Sequence, residues 1–108
     1  MELRKVTAII RSHALERVEE RLQRMGVKGL SVSNVKGYGE YANFFTHDWL
    51  ITHSRIEIFA EKHRAEQIAH AVLETARTGA QGDGFVAISP VEKVFRVRTG
   101  TEATPDEI

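Results

Sequence analysis

The sequence predicts an α+β domain in which strands and helices alternate as strand–helix–strand–strand–helix–strand. Three observations support this. Short β-branched runs alternate apolar and polar residues, the mark of half-buried strands. Two longer segments repeat apolar residues at helical spacing. Glycines punctuate the junctions where these periods change.

The elements follow in order. Residues 3–10 form the first strand, with Val6, Ala8 and Ile10 on one face. Ser12 is placed to cap the helix that follows. Leu15, Val18, Leu22 and Met25 mark that helix's buried stripe, and Gly26 sits where a helix ends. Residues 30–36 alternate again as a second strand. Residues 55–60 form a third, with Ile56, Ile58 and Ala60 on one face. Ala65, Ile68, Val72 and Ala76 define a second helix, closed by Gly79. Residues 85–91 form a fourth strand, which Pro90 places at an edge or ends. Residues 94–98 are a candidate short fifth strand. The polar stretch 101–108, with Pro105, is expected to be a poorly ordered tail.

This order is the split βαβ, ferredoxin-like arrangement: an antiparallel sheet with two helices on one face. Ile9, Val35 and Phe59 fall on the other face and are apolar, so further copies of the chain are expected to cover it. At 108 residues the chain is one domain with a single core.

Bulk chemistry excludes several function classes. Fifteen basic residues balance fifteen acidic ones, so no global field steers the chain to nucleic acid or anionic membrane. No cysteine is present, which removes disulfides, thiolate metal sites and thiol catalysis. No apolar run approaches a membrane span, and no apolar leader follows Met1. A cytoplasmic protein is expected.

The chemistry concentrates in residues 78–84, where Gly79, Gly82 and Gly84 sit between the second helix and the fourth strand. Such a loop can turn several N–H groups toward one anion. Downstream, Arg96 and Arg98 lie two residues apart and in an extended chain project together. A backbone nest followed by paired guanidiniums suits phosphate. A bare turn, with Asp83 bonding nearby backbone N–H groups, is the plainer reading of the loop.

With those residues in view, the chain resembles the PII signal-transduction family nearly end to end. The resemblance is carried by Val32-Ser33-Asn34-Val35-Lys36-Gly37-Tyr38-Gly39, by Arg55-Ile56-Glu57-Ile58, and by the glycine loop with Pro90-Val91-Glu92 and Arg96-Val97-Arg98-Thr99-Gly100. It implies a homotrimer with adenine-nucleotide sites between subunits. It places Gly37 and Gly39 at the base of the family's T-loop, Ser31 against adenine, and Glu57 and Phe59 around base and ribose. Gly82, Asp83 and Gly84 then surround the phosphates, with Arg96 and Arg98 reaching in from a neighbour.

Two departures from the family pattern bear on function. Phe85 stands where the family usually has a phosphate-binding lysine, so ADP or AMP is expected to be favoured over ATP. One lost charge-assisted contact is worth about 1.5–3 kcal/mol. The T-loop, residues 40–52, is short, lacks the family's ligand-binding glutamine and has no clear counterpart of its modified tyrosine. The resemblance therefore does not carry 2-oxoglutarate sensing or uridylylation over to this chain. That loop carries Tyr41, Phe44, Phe45 and Trp49, either an ordered extension packed on its own trimer or an aromatic knob for a partner.

The functional expectation is a non-enzymatic regulator that binds ADP, AMP or ATP and acts on a transporter or metabolic enzyme through that loop. A phosphate-cleaving enzyme, acting on a nucleotide or acyl phosphate, is the alternative. A trimeric metal-binding or adaptor protein with a vestigial nucleotide site is a third reading. For metal, His47, Asp48 and His53 share one loop, and His63 and His70 one helix face. Nucleic-acid binding is not expected, since the aromatic strand motif it uses on such sheets is missing.

Overall fold

The first strand, β1 (Leu3–Ile10), lies inside the sheet and is paired along both edges. It sets the architecture. The structure, a computed structural model, describes residues 1–37 and 51–108. After β1 come α1 (Leu15–Arg24), β2 (Ser31–Gly37), β3 (Ile51–Glu61), α2 (Lys62–Ala76) and β4 (Gly84–Val91). The four strands pair antiparallel in the order β2-β3-β1-β4. This is the expected ferredoxin-like α+β fold. A separate two-stranded ribbon, β5 (Phe95–Arg96) with β6 (Thr101–Glu102), follows.

Register explains the core. Val6 faces Ile58 on one side and Ile88 on the other, and Ala8 faces Ile56 and Val86. The even-numbered residues of β1 and β3 therefore share one face, and Val6, Ala8, Ile10, Ile56 and Ile58 are all buried. Val18 and Leu22 of α1 and Ala65, Ile68 and Val72 of α2 complete the same cluster. Each large aliphatic buried there contributes about 1.5–3 kcal/mol. Ala65, Ala69, Ala71 and Ala76 give α2 a small-residue surface, so its backbone can lie close to the strands.

The helix ends depart in detail from the expected caps. Gly26 ends α1 as anticipated, with φ 84°. Its N–H donates to Gln23 O and that of Val27 to Leu22 O, each at 3.0 Å, the paired bonds of a Schellman stop. Ser12 does not cap α1. It opens a 3₁₀ turn (Ser12–Ala14), and its hydroxyl accepts a hydrogen bond from Ser54 at 3.0 Å. Gly79 does not close α2 directly. The helix stops at Ala76, and Arg77 is already extended.

The odd-numbered face is mixed. Glu57 sits between Lys5 (3.5 Å) and Arg55 (3.3 Å), while Phe59 and Phe85 remain 45% exposed. Leu3, Ile9 and His53 of this face are nonetheless buried. Pro90 lies in β4, an outer strand, where its missing N–H is tolerated.

Residues 101–108 differ most from expectation. They carry β6, a buried Ala103 and a 3₁₀ turn (Pro105–Glu107) with a capping box at Thr104. Composition pointed to a loose tail because it registers polarity but not these specific local bonds.

Gly84 has the tightest backbone constraint. It has φ 101°, and a Cβ there would lie 1.7 Å from Ile9 O. Gly84→Ala is expected to lower unfolding stability in urea by more than the about 1–3 kcal/mol of backbone strain alone. Gly26→Ala, with φ 84° and nothing within 4 Å of the added carbon, should cost only about 1–2 kcal/mol.

Candidate functional site

The glycine loop is organised by the Asp83 carboxylate. Its Oδ2 accepts the N–H groups of Thr78 (2.9 Å) and Gly79 (2.8 Å), and its Oδ1 accepts the Thr78 hydroxyl at 2.5 Å. Arg11, just past β1, donates Nε to Asp83 Oδ1 at 3.2 Å and Nη2 to Gln81 O at 2.7 Å. Gly82 O meets the buried Nε2 of His53 at 2.8 Å. The loop is therefore buckled to the ends of both β1 and β3.

This revises the expected nest. The N–H groups of Thr78 and Gly79 already hold an anion, and that anion is Asp83. Asp83 shapes the loop from within. Burial pushes its carboxyl up, but the hydrogen bonds from Thr78, Gly79 and Arg11 outweigh that and hold it down at about 2.

A second group gathers elsewhere. Ser31, Glu57, Phe59, Arg96 and Arg98 line one cleft of about 380 Å³. Ser31 and Glu57 are register partners across β2 and β3, which explains their proximity. The arginines arrive on the β5–β6 ribbon, whose turn is closed by Gly100 N–H donating to Arg96 O at 2.8 Å. Arg98 lies in that turn. The extended strand expected over residues 94–98 stops at Arg96, yet both arginines still line the cleft. Arg96 is ion-paired with Glu107.

The two groups do not meet within one chain. Gly84 aligns with Ile10, and Ile10 with Ser54. Phe59 lies five residues further along β3, about 17 Å at strand rise. Asp83, Gly84 and Phe85 instead border a smaller groove of about 180 Å³ beside Val72, Leu73 and Ala76 of α2. Gly37 ends β2 opposite Ile51, toward the glycine-loop end of the sheet. Gly39, Tyr41, Phe44, Phe45 and Trp49 lie outside the described residues.

Among the described residues no three His, Cys, Asp or Glu side chains converge on a metal position. His47 and Asp48 fall outside them. Arg11 and Glu107 are the functional candidates that the sequence reading missed. Arg11 alone carried a signal, as a charge directly after the last apolar residue of a strand.

A ferredoxin-like sheet with a buckled glycine loop at one strand end and an arginine ribbon over a cleft defines the class of domain. The chain belongs to the nitrogen regulatory protein P-II family, whose family model matches residues 3–101. A P-II homolog of Arabidopsis thaliana is 35% identical over 104 residues, covering 89% of this chain and 53% of the relative. This chain thus spans about half the length of that plant protein. P-II 1 of Methanothermobacter thermautotrophicus is 38% identical over 105 residues, 91% of each chain. P-II of Microchaete diplosiphon is 36% identical over 110 residues, covering 94% and 97%. The crystal structure of Arabidopsis thaliana PII bound to citrate superposes with a TM-score of 0.81 at 35% identity, covering 94% of this chain and 89% of that one. These relatives are named as regulatory proteins, not enzymes. No helix among the described residues is long and apolar enough to cross a membrane.

Because Asp83 binds protons less tightly folded than unfolded, its contribution to loop order is complete above about pH 4, the ordinary aspartate range. It is lost as pH falls through about 2. Amide exchange at Thr78 and Gly79 should therefore accelerate, relative to intrinsic rates, between those values. Asp83→Asn should remove the step, and Arg11→Met should move it to higher pH.

Proposed function

We propose that this P-II family chain is a regulator that binds an adenine nucleotide between copies of itself, in a cytoplasmic homotrimer. The observation that carries the reading is the convergence of Ser31, Glu57, Phe59, Arg96 and Arg98 on one cleft. It offers an aromatic face, a hydroxyl and a carboxylate for a base and ribose, and guanidiniums for phosphate. Because the glycine loop lies toward the other end of the strands, one chain holds two half-sites. A neighbour's Gly82, Asp83, Gly84 and Phe85, with its Gly37 and Gly39, would complete each cleft. The 45% exposure of Phe59 on the odd-numbered sheet face favours such packing. The Arabidopsis structure holds citrate, a polyanion, which is compatible with an anion site in this fold.

Phe85 supplies no cation to an outer phosphate, so the proposed site favours ADP or AMP over ATP. Residues 40–52, with Tyr41, Phe44, Phe45 and Trp49, then carry the nucleotide state to a transporter or metabolic enzyme. The nucleotide shifts that loop only through different affinity for its states. Hydrolysis is a weaker reading. Glu57 is engaged by Lys5 and Arg55, and Asp83 by its own loop, so neither is placed as a general base.

Isothermal titration should show ADP or AMP binding more tightly than ATP, since the missing cation costs about tenfold or more in ATP preference, and Arg96→Ala with Arg98→Ala should weaken all three. A clear preference for ATP would remove the role given to Phe85. Shared sites have a sharper test. Chains bearing the arginine pair changed to alanine, co-assembled with chains bearing Gly82→Val, should regain nucleotide binding that neither shows alone. Failure to complement, in assemblies confirmed by mass, would place each site within one chain.

A further inference from the structure

Glu107 borders the same cleft as the two arginines, and its carboxylate is held from two sides. Oε1 accepts the Thr104 N–H at 3.1 Å and the Thr104 hydroxyl at 3.0 Å, while Oε2 pairs with Arg96 Nε. The segment that presents it is itself anchored. Ala103 is buried and donates its N–H to Val94 O at 2.8 Å. Lys28 Nζ donates to Asp106 O, and the Glu107 N–H donates to Thr104 O at 3.0 Å. The bonds from Thr104, then the contact with Arg96, hold the Glu107 carboxyl below its ordinary range, so it is an anion at neutral pH.

A carboxylate and a phosphate use a guanidinium in the same way, by placing acceptor oxygens on its N–H edge. Both cannot occupy the Arg96 Nε position together. We propose that Glu107 is a built-in competitor for phosphate at Arg96, and that residues 101–108 form a latch that an incoming polyanion must open. The proposal deepens the nucleotide reading and rests on the same cleft. Its consequence is selectivity by charge. A ligand bringing only a base and ribose gains nothing by displacing Glu107, whereas one bringing phosphates replaces one anion by another of greater charge. Opening the latch also changes the protein's surface at the 3₁₀ turn, so occupancy would be visible outside the cleft.

The test uses the full chain as Glu107→Gln, which keeps size and the acceptor for Thr104 but removes the charge. Adenosine, ADP and inorganic pyrophosphate are titrated against wild type, Glu107→Gln, Arg96→Ala and the double variant. Glu107→Gln should bind ADP and pyrophosphate about five- to tenfold more tightly and adenosine unchanged, and the gain should vanish in the Arg96→Ala background. Amide exchange at Thr104 of wild type should accelerate when pyrophosphate saturates. Equal anion binding by wild type and Glu107→Gln, or a gain that survives loss of Arg96, overturns the latch. If ADP binds neither chain but pyrophosphate shows the difference, the latch stands and the nucleotide reading falls. If neither anion binds any variant at millimolar concentration, both fall.

Discussion

Strand β1 is hydrogen-bonded along both edges, and this double pairing positions every other part of the molecule. Val6, Ala8 and Ile10 lie between β3 and β4 and beneath both helices. A strand so enclosed tolerates no slip, because moving by one residue would exchange its buried aliphatics for Lys5 and Thr7. The same rigidity is exported through Arg11. That residue follows the last paired position of β1 and clasps Asp83 and Gln81. The core therefore helps to fix the outline of the glycine loop. Gly84 reinforces this from the other side, since only a residue without a side chain can lie against Ile9 O.

Electrostatics on this chain is largely internal. Asp83, Glu57 and Glu107 belong to the proposed site, and each has protein donors or cations around it. The surfaces proposed as half-sites thus carry carboxylates that are already paired. The glycine loop and the arginine cleft differ in one respect. Asp83 bonds its own loop and stabilises it, whereas Glu107 holds a cation that a ligand could also use.

Much of the fold was legible because the apolar pattern in each strand has one consistent face. Val6, Ala8 and Ile10, with Ile56 and Ile58, could belong only to a half-buried sheet, and the order of periods determined the topology. Helix ends were less legible. Gly26 announces a stop by its backbone freedom, but Ser12 looked like a cap and instead serves Ser54 across the β1–β3 ladder. The pairing of Ser31 with Glu57 followed from strand register once the order was known. Asp83's grip on its own loop was anticipated as the plainer reading, but Arg11 was hidden because its partner lies 72 positions away. Residues 101–108 were misjudged for a different reason. Polarity does not reveal that Thr104 and Glu107 close a capping box or that the Ala103 N–H bonds to Val94 O.

The placement of β1 also sets how the chain reaches this structure. Val6 must find Ile58 and Ile88, so the first strand made waits for the last of the main sheet before either of its edges can be fully satisfied. Local helix formation in α1 and α2 is fast but does not by itself bury Ile10 or Leu22. Closing these distant pairings costs loop-closure entropy early, which favours slower folding than that of a helical bundle. Until residues 84–91 have left the ribosome, the aliphatic edge of β1 has no mate and is open to the same edge on another nascent chain.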